Sequence, residues 1–341
     1  VKAPVVSPRP ETGGAAALPQ PRGALSAAVI RALRTSPGPA GPAWPPAAGS
    51  GPFGEDLQLA LHLCYELHYR GFRGVDAGWE WEPELLRLRG VLERTFLHGL
   101  RTGVGGGDDV SAELDALLTQ PPGGGGIPRR LEKRGEWWQM RELFVHRSVY
   151  HLKEADPHVW VVPRLHGRAK AALVAVEYDE FGAGRAERVH ARLFARLLAG
   201  AGLDPGYLSH LEDVPAPALA LVNMMSLFGL HRGLRGALVG HFAAAETTTA
   251  PGARRLARAL ERMDGHPDCV FFYREHVEAD AVHEQVMRRD VVGGLLEDEP
   301  ELAADIVLGI QATQLLEERL AAHLGRAWDA GATSLRRPLP R

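Results

Sequence analysis

Cysteine is nearly absent, with Cys64 and Cys269 the whole complement of a 341-residue chain. Two thiols exclude a disulfide framework, a cysteine-ligated zinc ribbon and an iron–sulfur cluster, so any metal must be held by His, Asp and Glu. Long apolar runs are missing too. None approaches about 18 residues, and the amino terminus shows no compact apolar segment followed by a cleavage site, which leads us to expect a cytoplasmic protein without a membrane span. An excess of one charge is also lacking. A net charge of −3, with Arg scattered among acids, gives no electrostatic footprint for nucleic acid. Alternating β-branched runs are absent, and nearly every long segment has helical period instead, so the expected fold is all-α.

The first 52 residues are rich in Pro, Ala and Gly. Such a composition buries too little apolar surface to offset chain entropy and predicts a disordered tail, within which a short helix over 25–33 and an organelle transit peptide are alternatives. Helices expected over 53–70, 83–100 and 110–118 make residues 53–120 an N-terminal helical subdomain. The run PPGGGG at 121–126 then separates it from a main bundle over 127–328, and 329–341 reads as a C-terminal tail. Inside the bundle the periodicity predicts helices over 136–155, closed by Pro157, and over 167–181, 185–198, 251–263, 268–292 and 300–324. Residues 215–242 are apolar and punctuated by Gly229, Gly233, Gly236 and Gly240, a pattern that suits close helix packing or a pocket wall. Met224, Met225 and Phe228 within it read as core.

What the chain does have is metal-capable side chains at helical spacing. In His276-Val-Glu-Ala-Asp280-Ala-Val-His283, Asp280 lies about 40° and His283 about 20° from His276 around the helix, so all three share one face. That face continues through Cys269, Phe272 and Met287 and is therefore the buried stripe. Two imidazoles and a carboxylate on a buried stripe need partners, and a metal is one that satisfies all three. The same reasoning turns Glu154, Glu180 and His190 inward on their own helices. Three carboxylates and three neutral imidazoles give −3 against the +4 of two divalent ions, a balance suited to a pair of iron or manganese ions. A ferritin-like rival uses Glu187-x-x-His190 with Asp280-x-x-His283, but leaves His276 unexplained. Glu246 is a further candidate carboxylate, and Tyr150 a candidate hydrogen bonder to the ligands. Glu177 and Asp179 read as solvated or capping.

The spacing of Glu154, Glu180, His190 and the His276-x3-Asp280-x2-His283 triad resembles the haem-oxygenase-like diiron oxidases, the iron-containing redox enzymes. The text around them, HLKEADPH, EYDEFGAGRAERVHARLF and YREHVEADAVHE, resembles that family too, over about residues 53–325. The resemblance implies a haem-oxygenase-like helical bundle, here with extra N-terminal helices, whose core ligands surround a substrate cavity. It implies two Fe(II) ions, with Glu154, His190 and His283 on one, His276 and Asp280 on the other, and Glu180 shared or associated with the second. It further implies dioxygen as co-substrate and oxidation of a small amine, amino acid or fatty-acid-like carboxylate, by N-oxygenation or oxidative carbon–carbon cleavage. An external reductant and a homodimer are compatible with it. Two other readings share the architecture: a haem-binding or haem-degrading protein, for which Gly236-x3-Gly240 would mark a distal helix, and a metal-free binding protein.

Overall fold

The computed structural model describes residues 15–38, 42–46, 49, 51–119 and 126–340; the side chains of 278–282 fall outside that description. Among the described residues the regular structure is helical, and one isolated bridge pairs Ala16 with Phe72. No helix there is long and apolar enough to cross a membrane.

A central helix, α10 (Arg235–Arg262), is flanked by α11 (Pro267–Val286) and by the long C-terminal helix α13 (Ala303–Asp329). At the α10–α13 crossing the backbones touch. A Cβ on Gly240 would stand 2.0 Å from the Ile306 carbonyl oxygen, and one on Gly309 would stand 2.0 Å from that of Ala237. The glycine punctuation is therefore close packing, and Gly236, against Asp305 and Leu302, belongs to the same seam. Overpacking of this kind typically costs about 1–3 kcal/mol. Gly240→Ala should lower the unfolding free energy by that amount or more, while Gly325→Ala, with nothing within 4 Å of its added Cβ, should raise it through helix propensity. Denaturant melts of the two variants check both signs.

The apolar segment expected over 215–242 is broken in two. Helix α9 (Ala216–Leu230) ends at His231, and α10 restarts after a short turn at Arg232–Leu234. Pro251, expected to start a helix, lies inside α10, which runs on past it. Beyond α11 the chain continues through a π-helical segment, Met287–Val292, into α12 (Gly293–Asp298). Helix α7 (Gly167–Glu180) packs on that segment.

The ends of the chain correct two expectations. Within the expected disordered tail, Ala24–Leu33 forms helix α1, burying Leu25, Val29, Ile30 and Leu33. Its amino end is capped from outside: Asp56, in α2 (Glu55–Glu66), accepts from the backbone N–H groups of Leu25 and Ser26 at 2.9 and 2.8 Å. A carboxylate there meets both the orphan donors and the helix dipole. Residues 1–14 lie outside the described residues, as do 120–125 of the Pro/Gly run. The C-terminal segment is docked. Ser334 is buried and donates from its backbone and side chain to Glu142 at 2.9 and 2.6 Å, and α13 itself runs to Asp329.

The helices of 53–118 are not set apart from the bundle. Helix α2 packs on α9, α3 (Pro83–Gly103) on α13, and α4 (Val110–Leu118) on both α10 and α13. A helix not foreseen, α5 (Gly126–Arg134), covers α10 with Ile127 and Leu131.

Candidate metal centre

Glu154 does not lie on a helix. Helix α6 (Trp137–His151) starts where the Gln139 side chain accepts from the Glu136 N–H at 3.0 Å, and it stops three residues short of Glu154. The chain turns there through Ala155, which adopts a left-handed φ of 73°. Lys153 holds the turn from the other side: fully buried, its ammonium meets Glu66 of α2 at 2.7 Å and lies 4.1 Å from the Tyr69 ring centre. Glu154 is thereby directed inward, its Oε1 2.7 Å from His151 Nδ1 and 3.5 Å from His276 Nε2. Its buried Oε2 has no hydrogen-bond partner.

Glu180 and His190 are brought together by a tight loop. Glu180 is the last residue of α7, and His190 is the first of α8 (His190–Gly200), not a mid-helix residue as the periodicity suggested. Gly182 has a φ of 80°, and a Cβ there would sit 2.4 Å from the Arg185 carbonyl oxygen, so only glycine closes the loop this tightly. The closure leaves Glu180 Oε2 2.7 Å from His190 Nδ1.

Helix α11 supplies the facing imidazoles. His276 Nδ1–H donates to the Phe272 carbonyl at 2.8 Å, which fixes the tautomer and leaves the lone pair on Nε2. Its ring centre is 4.6 Å from that of His190. Two turns on, His283 Nδ1 lies 3.2 Å from Glu246 of α10 and 3.7 Å from Glu180 Oε1, while its Nε2 lies 3.2 Å from Asp179.

Among the described residues the result is two buried clusters, Glu154/His190/His276 and Glu180/Glu246/His283; within each, one ligand atom per residue lies within 4.8 Å of the others. Glu180 faces both, with Oε2 on His190 and Oε1 on His283. This grouping differs from the one the resemblance implied, because His283 sits with Glu180 and Glu246 while His276 sits with Glu154 and His190. Glu246 joins the site. Glu187 does not, since it is exposed in the short turn Ala186–Arg188. Asp280 shares α11 with the two histidines, and its side chain lies outside the described residues.

Burial works against every charge here, and neighbours decide the outcome. For Glu154 the His151 and His276 imidazoles outweigh burial and hold the carboxyl well below its usual range. Glu246 goes the other way: burial, together with the nearby Glu180 charge, raises it despite the His283 hydrogen bond. Burial would lower His283, yet the bonds to Glu246 and Asp179 and the charge of Glu180 lift it to about 9. Glu177, one turn before Glu180, is buried, not solvated. Desolvation and the Glu180 and Glu246 charges push it well upward; neither oxygen is hydrogen-bonded, and Oε1 lies 3.8 Å from His158 Nδ1. His158, stacked on Phe242 at 4.1 Å, has no hydrogen bond on either nitrogen and is held neutral by burial.

Residues of both clusters open onto one cavity of about 570 Å³. Its walls include Tyr150, Glu154, Glu180, Glu246 and His276 with Leu143, Phe242, Leu256 and Leu320. Tyr150 stands beside the carboxylates, and burial together with Glu154 raises its hydroxyl well above the usual value, so it stays a hydrogen-bond donor. His151 was not foreseen. Its signal was the i, i+3 spacing to Glu154 at the close of α6.

These features define an all-α protein with two buried His/Glu clusters joined by one carboxylate beside a cavity. The model of the iron-containing redox enzyme family matches residues 141–318, and the chain belongs to that family, with its haem-oxygenase-like fold. The match begins in α6 and ends in α13, so it spans every residue of both clusters. No curated protein matches the chain. Membership places the protein among oxidoreductases of an iron-containing class.

Proposed function

We propose that the protein is a non-haem diiron oxidase or oxygenase that uses dioxygen to oxidise a small organic substrate. The observation that carries this reading is Glu180, whose two oxygens face two separate His/Glu clusters. A single metal would need only one cluster; a shared carboxylate suits two. The donor set fits iron or manganese, since imidazole and carboxylate are present and thiolate is not. The orphaned, buried Oε2 of Glu154 is the atom a cation would satisfy.

Glu154, His190 and His276 would hold one ion and Glu180, Glu246 and His283 the other, with Asp280 a further candidate on the same helix. When bound, two ferrous ions supply the electrons with which dioxygen is reduced. The rest belongs to the chain. The Phe272 carbonyl orients His276, and the Lys153–Glu66 pair keeps the Glu154 turn in place. Leu143, Phe242 and Leu256 keep much of the cavity wall apolar, which limits water around the reacting atoms. Tyr150 offers a proton at the cavity wall toward a substrate oxygen or nitrogen. The three carboxylates of the two clusters favour this reading over a haem protein, and the glycines that would mark a distal helix are consumed in the α10–α13 seam.

Anaerobic titration with ferrous ion should saturate at about two irons per chain, and admission of air should then oxidise them. An intact fold that takes up no iron would refute the proposal.

A further inference from the structure

Arginines that stand apart in the sequence are gathered by the fold. Helix α5 packs on α10, and Arg262 ties the two together, donating to the carbonyls of Leu131, Glu132 and Gly135 at 2.6, 3.0 and 2.8 Å. Residues 126–134 and 251–262 together carry eight Lys and Arg against two Glu, a surplus of six positive charges in a chain whose total is −3. Lys133, Arg134, Arg254, Arg258 and Arg262 are exposed. Internal pairing uses part of this charge: Glu132 is shared by Arg255 and Arg258, and Glu261 meets Arg274. The bordering acids Glu136, Asp264, Glu318 and Asp329 leave a surplus of two even before the bordering Arg141, Arg274 and Arg326 are counted. The face is therefore basic on a protein that is acidic elsewhere, and it complements an acidic partner.

Trp137 stands beside this face, two residues beyond the Gly135 carbonyl that Arg262 holds, and is half-buried. From it a row of rings leads to the metal centre. Ring centres are 6.3 Å apart from Trp137 to Phe144, 6.3 Å from Phe144 to Tyr273, 5.2 Å from Tyr273 to Phe272 and 4.4 Å from Phe272 to His276. Electrons cross protein by tunnelling, whose rate falls steeply with the gap between orbitals, and rings in contact keep each gap short. The diiron reading supplies the need. When one oxygen atom of dioxygen enters a substrate, the other leaves as water, which takes two electrons and two protons beyond the substrate's own. We propose that α5, the end of α10 and Trp137 form the docking face for an acidic protein that donates one electron at a time, and that the rings from Trp137 to His276 carry the electron inward. Each encounter oxidises the donor by one electron and returns one ferric ion to ferrous, with no bond made or broken.

This inference rests on the diiron reading for the destination of the electron, while its docking arm uses the metal-free full-length chain. Two acidic one-electron carriers, a plant-type [2Fe–2S] ferredoxin and a flavodoxin, serve as probes, with basic cytochrome c as the opposite charge. Calorimetric titration at about 20 mM salt should show at least one acidic carrier binding and cytochrome c not, and the affinity should fall at least about tenfold at about 300 mM. A Lys133→Glu/Arg134→Glu variant, folded by circular dichroism, should lose at least about tenfold in affinity. In the iron-loaded chain, Trp137→Leu, with iron content and circular dichroism unchanged, should slow anaerobic oxidation of the reduced carrier by at least an order of magnitude without weakening its binding. Binding indifferent to salt or to the charge reversal, tighter binding of cytochrome c or of a DNA duplex than of either carrier, or undiminished electron transfer in Trp137→Leu overturns the proposal. A chain that loads no iron refutes the diiron reading and the route with it, whereas one that loads iron and binds neither carrier refutes this proposal alone.

Discussion

Glu180→Ala is expected to abolish substrate-dependent oxygen consumption, by at least about two orders of magnitude, while leaving the helical fold in place. Loss of a residue that only hydrogen-bonds to a metal ligand typically costs about 10–100-fold in metal affinity or activity; Glu180 reaches His190 at 2.7 Å and His283 at 3.7 Å. Removing it opens both clusters at once. Iron per chain should therefore fall from about two to below one, a larger loss than expected for a residue confined to one cluster. The metal-free variant should unfold no earlier than wild type. Glu180 is one of the charges that push Glu177 and Glu246 upward, so its removal relieves the crowded carboxylates. An oxygen electrode, iron analysis and thermal melts on the same preparation test the three statements together. Wild-type turnover with two irons bound would end the bridging role.

The helical class and the inward stripe of α11 were legible because periodicity depends on local spacing, and 3.6-residue geometry converts that spacing into a face. What periodicity cannot register is a turn that aims a side chain. Glu154 and His190 were both read as helix-borne, yet Glu154 projects from a loop held by a left-handed Ala155 and a buried Lys153, and His190 opens its helix after a glycine-dependent bend. The partition of ligands between the clusters was equally out of reach, because it depends on where α10 passes α11. That crossing brings Glu246 to His283 and is made by residues far apart in the chain. Glu246, which ends an apolar segment, was legible as a candidate carboxylate, but nothing local assigned it to His283. Helix α1 was obscured for a different reason: its amino-terminal cap, Asp56, comes from another helix, and a cap supplied across tertiary space leaves no mark in the segment it stabilises. Glu177 misled because three acids within four residues look solvated, whereas burial of one of them is decided by the packing of α7.

Iron uptake should become tighter as pH rises, by about tenfold per unit between roughly pH 6.5 and 9 from one group alone. The group is His283, lifted to about 9 by Glu246, Asp179 and Glu180 against the opposing effect of burial. A ligand imidazole must be neutral, so below pH 9 a metal has to displace the His283 proton. The same shift gives the metal-free protein the opposite trend. A histidine whose folded value is raised contributes stability that is complete below about 6.5 and disappears as pH climbs through about 9, so the metal-free chain should lose this contribution over the window in which the metal binds better. Asp179→Asn isolates the cause. Asp179 is half exposed, stands outside both clusters and faces His283 Nε2 at 3.2 Å, so its neutralisation should move the uptake profile to lower pH without changing the number of irons. Proton NMR of the His283 ring in metal-free protein reads the titration directly. A midpoint at or below 6.5, or iron uptake indifferent to pH across the window, would refute the carboxylate-paired imidazole as the controlling group.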